Sequence, residues 1–299
     1  MINFMRFKWL YFLLSLSVLV PGIFSLFAFG LKPSLDFTGG SLLELRFAKE
    51  AKMLSSDEIK SSLEEKGFVV SSIQSSGQQT ILLRLKEINK DEAATVKSIL
   101  AEKTESFPEE IRFESIGPIL GKELIVKTII AILLASSFIT GYVAWAFKNF
   151  KFGICAILAM FHDSFVMLGV FSLLGHFQGV EVDTLFVTAM LTILSFSVHD
   201  TVVVYDRIRE SQRRLPNISF VDLVNKAVTE TLSRSLNNSL TIIFMLLALL
   251  LMGGATIKWF VFALLIGTIS GTYSSTFTAA PLLVLWQDIE DWHKKRTTK

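Results

Sequence analysis

Cysteine is nearly absent from this chain of 299 residues, which contains only Cys155. A single cysteine excludes a disulfide within the chain and any metal site built from several cysteines. Cys155 lies inside an apolar run, and we expect it to pack there as a small apolar side chain, as free cysteine commonly does. The sequence therefore predicts no metal site and no cofactor.

An excess of charge of one sign is also lacking, since 29 Lys and Arg residues face 27 Asp and Glu residues, for a net charge of +2. So small a charge gives no reason to expect a nucleic-acid partner. Basic residues do not cluster among aromatic residues either. A nucleophile paired with a base, a phosphate-binding loop and a metal-ligand constellation are absent as well, which disfavours an enzyme.

Long apolar runs are the feature that the sequence does have. The composition is 51% hydrophobic with a mean hydropathy of +0.53, and the apolar residues fall in runs near the roughly 20 residues that cross a bilayer. The first run follows Arg6 and Lys8 and lacks an A-x-A cleavage pattern, so we interpret it as an uncleaved membrane helix rather than a signal peptide. The predicted spans in the lipid bilayer are 9–29, 124–147, 152–174, 184–204, 236–253 and 259–286.

Between the first two spans, residues 30–122 are polar and alternate between strand and helix patterns. Strands are predicted at 41–47, 68–74, 80–86 and 110–116, and helices at 55–66 and 89–102. The order β-α-β-β-α-β is that of the ferredoxin-like α+β domain. This segment has no acid pair, histidine cluster or glycine loop, so we expect it to bind or move a partner rather than to catalyse a reaction.

The distribution of basic residues predicts the orientation of the spans. On one side lie the residues Arg6, Lys8, Lys148, Lys151, Arg207, Arg209, Arg213, Arg214, Lys226, Arg234, Lys294, Lys295, Arg296 and Lys299. The short loops on the other side hold only Lys258. Both termini are therefore predicted to be cytoplasmic, with residues 30–122 outside, a cytoplasmic connector at 206–235 and a basic tail at 287–299. Within the connector, Ser219 and Asp222 are predicted to cap an amphipathic helix over 220–236 that lies on the headgroups.

Ionisable residues occur where the spans are apolar, at an insertion cost of about 2.5–3.5 kcal/mol each near a helix centre. The candidates for a proton pathway are Asp163, His199 and Asp200 within the spans and Arg234 at the cytoplasmic mouth of the fifth span. Asp163, beside His162, falls near the middle of the third span, and Asp200 falls in the inner half of the fourth. Burial disfavours a charged carboxyl group, whereas a facing arginine stabilises it. Movement of Asp200 relative to Arg234 would therefore change its affinity for protons; structural pairing is the alternative.

Polar residues at helical spacing follow the fourth and fifth spans. The first stripe is Thr184, Thr188, Thr192, Ser195, His199 and Asp206, and the second is Thr231, Arg234, Asn238 and Thr241. Because lipid offers no hydrogen-bond partners, we expect a hydrated or hydrogen-bonded seam between the two helices, with hydrogen bonding between packed helices as the simpler alternative. Asp206, Arg207 and Arg209 are predicted to lie at the cytoplasmic boundary.

Several motifs give the chain a resemblance to the SecD/SecF family of protein-export membrane proteins, in the resistance-nodulation-division superfamily. These motifs are DFTGG (36–40), DTLFVTAMLTIL (183–194), HDTVVVYDRIRE (199–210), TETLSRSLNNSLT (229–241), MGG (252–254) and GTYSS (271–275). The resemblance implies an auxiliary subunit beside the SecYEG channel, with SecD as partner, that uses the proton motive force to complete export of unfolded preproteins. It also implies that Asp200 and Arg234 belong to the proton path, to which SecD contributes a further acid.

The chain departs from the family pattern in the residues directly before Asp200. Ser195, Phe196, Ser197 and His199 stand where many relatives have Gly-Tyr-Ser and then Asn before the acid. His199 is thus either a second titratable group or a neutral donor, and the coupling ion remains proton or sodium. Two other functions stay open: a stand-alone exporter of small molecules or lipids, which usually carries two copies of this unit, and a non-conducting scaffold of the channel complex.

Overall fold

The computed structural model describes residues 3–49, 51, 54–75, 79–147 and 149–297, so the predicted basic residues Lys148 and Lys299 lie outside the described part. The chain divides into two compact units, one formed by Met1–Lys32 with Ile130–Lys299 and the other by Pro33–Ile129. The α-helices in chain order are α1 (Lys8–Ala28), α2 (Leu35–Thr38), α3 (Ser56–Glu64), α4 (Lys90–Thr104), α5 (Pro118–Phe147), α6 (Phe150–Gln178), α7 (Thr184–Arg214), α8 (Phe220–Met252), α9 (Lys258–Ser274) and α10 (Ala280–Thr297).

The Pro33–Ile129 unit contains a four-stranded antiparallel sheet. Its strands are β1 (Gly40–Arg46), β2 (Val70–Ser75), β3 (Thr80–Leu85) and β4 (Glu109–Ile116), in the spatial order β2-β3-β1-β4. Alternate residues of β1 and β3 are buried against α3 and α4 in one hydrophobic core. With the chain order β1-α3-β2-β3-α4-β4, the predicted ferredoxin-like arrangement is confirmed.

The two helices of this unit begin where the sequence predicts. Ser55 caps α3, because its hydroxyl group accepts a bond from the Glu58 amide while the Glu58 carboxylate accepts one from the Ser55 amide. Asn89 and Glu92 form the same reciprocal pair at the start of α4. Each capping box satisfies two backbone N–H groups that a helix start leaves unpaired, so local sequence determines both boundaries.

The other unit contains the membrane-spanning helices, and six helices in the described residues are long and apolar enough to cross a bilayer. They are α1, α5, α6, α7, α8 and the continuous run from α9 to α10, so the predicted multi-pass membrane protein with six spans is confirmed. Helix α9 passes into α10 through one turn of π-helix, Ser275–Ala279. Pro281 follows this turn and lacks the N–H group for a regular helical bond, while the buried Tyr205 hydroxyl donates to the Ala279 carbonyl oxygen at 2.9 Å.

The region predicted as a connector, residues 206–235, is largely helical. Helix α7 continues to Arg214, and α8 begins at Phe220, directly after its cap Ser219. The amphipathic helix expected over 220–236 and the fifth span are therefore one helix. They merge because no helix-breaking residue separates them, whereas Pro216 breaks the preceding segment.

Helices α1 and α6 pack closely at a pair of glycines. A Cβ atom added to Gly169 would lie 2.5 Å from the Cα atom of Gly22, so neither position leaves room for a side chain. One turn further along, the hydroxyl groups of Ser25 and Ser172 are hydrogen-bonded at 2.8 Å. Small residues that bring two backbones together and a hydroxyl bond beside them are the usual means of packing membrane helices.

This contact predicts that Gly169→Ala destabilises the helical unit by about 1–3 kcal/mol, because the added methyl group meets backbone atoms that cannot move aside alone. Thermal unfolding of the purified protein in detergent measures the effect. Gly153→Ala is the matched control on the same helix, since an added Cβ atom there meets nothing within 4 Å. Equal unfolding temperatures for the two variants would contradict the close α1–α6 contact.

Candidate functional site

Asp163 lies in the interior of the helical unit, on α6, and is 1% exposed. Its carboxylate accepts four hydrogen bonds from three helices. His162 Nδ1 (3.0 Å) and Ser270 Oγ (2.6 Å) bond to Oδ1, and the hydroxyl groups of Ser197 and Ser274 bond to Oδ2 at 2.5 Å each. Because a carboxylate has about four acceptor positions, these donors saturate it.

The serines reach Asp163 because α9 approaches α7 closely through glycines. A Cβ atom on Gly267 would lie 2.3 Å from a side-chain carbon of Ile193, and one on Gly271 would lie 3.4 Å from the Cα atom of Ser197. The small residues of α9 therefore allow close packing against α7, as small residues commonly do between membrane helices. This packing also brings Ser270 and Ser274 within bonding distance of the carboxylate.

Asp200 is the second buried carboxylate, on α7, and is 4% exposed. Its Oδ2 atom accepts bonds from Ser235 on α8 (2.5 Å) and from Ser275 in the π-turn (3.0 Å). Adjacent serines, Ser274 and Ser275, thus bind different carboxylates. Since π-turns often occur at functional sites, the start of this turn at Ser275, directly after Ser274, supports a functional interpretation.

Neither carboxylate contacts a lysine or arginine within the described part of the chain. The donors are serine hydroxyl groups, together with His162 in the case of Asp163. Among the described residues, no group of three or more His, Cys, Asp or Glu residues suited to a metal ion was found. A negative charge inside an apolar bundle is costly without a cation, so these hydrogen bonds are the interactions that offset the cost of burying each carboxyl group.

Arg234 does not contact Asp200. It is exposed on α8 and lines a cleft of about 730 Å³ between α7 and α8, and the neighbouring Ser235 contacts the acid in its place. The predicted Asp200–Arg234 pairing is therefore absent from this conformation. The physical reason is helical phase, because consecutive residues differ by about 100° around a helix.

The cleft also contains the residues predicted at the cytoplasmic boundary. Arg207 is paired with Glu230 (2.6 Å) and Glu210 (2.5 Å), while Arg209 is paired with Asp206 (3.2 Å). Arg234, in contrast, has no ion-pair partner among the residues that the structure describes. The cleft thus contains paired charges on both helices, while Arg234 of α8 and Arg213 of α7 lack an ion-pair partner in the described part of the chain.

The predicted polar seam lies on the outside of the unit. Thr192, Ser195 and His199 of α7 are exposed, as is Asn238 of α8, so the two stripes do not face each other. We call the exposed residues Thr188, Thr192, Ser195, His199, Asp206, Arg234, Asn238 and Thr241 the outer polar face. Of the predicted stripe on α8, Thr231 is buried; the other buried hydroxyl residues, Ser235 and Ser239, each follow an exposed stripe residue, Arg234 and Asn238.

His199 is directed away from Asp200, although the two residues are adjacent. It lines a cavity of about 310 Å³ with Ser195 and with Phe138, Ile139 and Tyr142 of α5. The imidazole group that touches a buried carboxylate is His162 instead. Sequence reasoning had placed His162 beside Asp163 without assigning it a role, and it missed the serine donors altogether.

The serine donors predict a measurable contribution to stability. Ser274→Ala removes one donor from a buried carboxylate and is expected to destabilise the protein by about 1–3 kcal/mol. Thermal unfolding in detergent at neutral pH tests this. Ser233→Ala on α8 is the control, because Ser233 is exposed and is expected to leave the unfolding temperature nearly unchanged. A Ser274→Ala protein as stable as the control would contradict the assigned hydrogen bonds.

Comparison with known families gives two matches to this chain. Residues 95–289 match the family described as "Protein export membrane protein SecD/SecF, C-terminal". Residues 24–51 match the "SecD/SecF GG Motif", which includes the DFTGG sequence. The first match covers the helices that carry both buried carboxylates.

Curated relatives are similar over nearly their whole length. The protein translocase subunit SecF of Thermobaculum terrenum is 45% identical, over 96% of this chain and 95% of that protein. The subunit of the same name from Anaerolinea thermophila is 38% identical, over 99% of this chain and 98% of that protein.

Solved structures of SecDF are similar to the whole fold. The crystal structure of SecDF from Thermus thermophilus, titled a translocon-associated membrane protein, has a TM-score of 0.81 at 32% identity. The match covers 96% of this chain but only 39% of that one. A second structure, SecDF in a super-membrane-facing form, has a TM-score of 0.71 at 30% identity. The match covers 99% of this chain and 40% of that one. This chain therefore spans about two fifths of each SecDF chain.

Proposed function

The chain belongs to the SecD/SecF family of protein export membrane proteins, and we propose that it is an auxiliary subunit of the Sec translocase that couples ion movement to late steps of preprotein export. The observation that carries this proposal is the buried Asp200, which has hydroxyl donors and no cationic partner among the described residues. A carboxyl group in that environment alternates between protonated and ionised forms when its surroundings change.

The partner in this proposal is SecD. Relatives named SecDF are single chains of which this chain matches less than half, which indicates that the remainder supplies what a separate subunit supplies here. The outer polar face supports the same partner, because lipid cannot bind Ser195, His199 and Asn238 whereas a second helical unit can. Exposed Arg234 on that face is then available to an acidic residue of SecD.

The coupling proposed here depends on α8, which contains both Ser235 and Arg234. When the α7–α8 cleft changes shape, α8 presents either the serine hydroxyl or the arginine to Asp200. The arginine stabilises the ionised carboxylate, and its withdrawal favours uptake of a proton. Binding of SecD and of the preprotein thereby alters the affinity of Asp200 for the ion. By thermodynamic linkage, binding of the ion in turn alters the affinity for these partners.

In the proposed orientation, both termini lie in the cytoplasm and the Pro33–Ile129 unit lies outside the plasma or inner membrane. The excess of Lys and Arg in the loops on the side of the termini supports this. The sheet of the outer unit has the edge strands β2 and β4. Sheet edges bind extended chains through backbone groups whatever their sequence, which suits an unfolded preprotein leaving the SecYEG channel.

Asp200→Asn and Arg234→Met test the coupling. In vesicles that also contain SecD, each variant is expected to reduce both the stimulation of preprotein export and the accompanying ion flux at least tenfold. The reason is that each variant removes one of the two charges, Asp200 or Arg234, on which the proposed coupling depends. Flux is measured with proton and sodium gradients separately, which identifies the ion. Asp222→Asn, at an exposed position in the first turn of α8, is the control for removal of an acid.

Normal export in both variants, with insertion intact, would exclude the coupling function. If collapse of the ion gradients leaves the contribution of the wild-type protein unchanged, the chain acts as a scaffold of the channel complex instead.

Site-specific photo-cross-linking tests the outer polar face. In a Cys155→Ala background, Ser195→Cys labelled with a benzophenone maleimide is expected to form a product with SecD, since Ser195 lies on the face assigned to that partner. Leu251→Cys is the control, because Leu251 is 83% exposed on α8 outside the outer polar face. Equal yields of SecD product from both positions would contradict this assignment.

A further inference from the structure

We infer that His162 and Asp163 form a second proton-binding site, enclosed within the helical unit and distinct from Asp200. The inference rests on the proposed function in that the bound proton would belong to the same coupling cycle. It concerns the imidazole group of His162, which neither family resemblance nor helical spacing assigns to the proton path.

The geometry of His162 distinguishes its two ring nitrogens. The side chain is 7% exposed, and Nδ1 lies 3.0 Å from Asp163 Oδ1. The other nitrogen, Nε2, is buried and has no hydrogen-bond partner among the described residues. With Nδ1–H donated to Asp163, Nε2 is a free acceptor, and a carboxylate that orients an imidazole in this way stabilises its protonated form.

Structural support of Asp163 does not require the imidazole. Ser197, Ser270 and Ser274 already supply three hydroxyl donors to the two carboxylate oxygens. A phenyl side chain at position 162 would fill space without leaving a buried polar atom unpaired, whereas histidine leaves one. Unsatisfied buried polar groups in native proteins call for an explanation, and a role in proton transfer provides one here.

The groups packed around this pair do not supply an alternative charge. From α9, the ring of Tyr273 is stacked 6.4 Å from the His162 ring, and its hydroxyl donates to the backbone carbonyl oxygen of Tyr11 on α1. From α7, the buried titratable residues are Asp200, one turn from Ser197, and Tyr205. Asp163 is therefore the ionisable group that is hydrogen-bonded to His162 among the described residues.

The proposed step moves one proton. The proton arrives at Nε2, and the neutral imidazole becomes an imidazolium ion whose positive charge is balanced by the carboxylate of Asp163. Loss of the same proton from Nε2 restores the neutral ring, and no covalent bond other than N–H forms or breaks. Because Ser274 bonds to Asp163 and the adjacent Ser275 to Asp200, a shift of the π-turn changes both sites together.

The experiment uses the full chain reconstituted with SecD in vesicles and labelled with ¹⁵N-histidine. The chain has four histidines, so His162→Gln identifies the signals of His162 by difference. In the wild-type protein, we expect the Nε2 signal of His162 to change from that of a neutral ring nitrogen to that of a protonated one between about pH 5 and pH 8. A signal that stays constant over this range overturns the inference.

Proton flux through the same vesicles provides a second readout. His162→Gln is expected to lower the flux at least tenfold, whereas His176→Gln, at an exposed position on the same helix α6, leaves it unchanged. If Asp200→Asn stops the flux but His162→Gln does not, this inference fails while the proposed function stands. If wild-type vesicles show no ion-coupled flux, the proposed function fails, and the titration of His162 decides the proton site by itself.

Discussion

The structure of the helical unit depends on one constraint, which is that lipid provides no partner for a buried carboxylate. Asp163 and Asp200 must obtain their hydrogen bonds from side chains of the same bundle, most of them on other helices. Serine suits this need because its hydroxyl group is short and donates without adding charge. The requirement extends to the backbone, since Ser270 and Ser274 reach Asp163 only where the glycines of α9 let α7 approach.

The same constraint separates the two polar regions of the unit. In the interior, hydroxyl groups satisfy the carboxylates, and the small residues between α7 and α9 hold these helices close. On the outside, Ser195, His199 and Arg234 have no such partners among the described residues, and we propose that SecD covers them. Helix α8 belongs to both regions, because Ser235 faces inward and Arg234 outward. In the proposed coupling, movement of this helix connects partner binding with the protonation of Asp200.

Local patterns were sufficient for much of the fold. Alternating residues predicted β1 and β3, and the reciprocal caps at Ser55 and Asn89 predicted the starts of α3 and α4, because those signals involve residues close in the chain. Apolar runs likewise predicted six spans. Their ends were less predictable, since α7 and α8 continue past the apolar segments as amphipathic helices.

The sequence by itself determined the membrane class, the inserted α+β domain and the acids whose burial requires a function. Only the tertiary structure decided which side of each helix faces the interior, so that Ser235 rather than Arg234 meets Asp200. It also identified the donors of Asp163, which are 34 residues away in Ser197 and 111 away in Ser274. The reason is that the spacing of hydrophobic residues locates a helix in the sequence. Which side chains of that helix meet another helix depends on its rotation about its axis, and one residue changes this by about 100° without leaving a pattern in the local sequence.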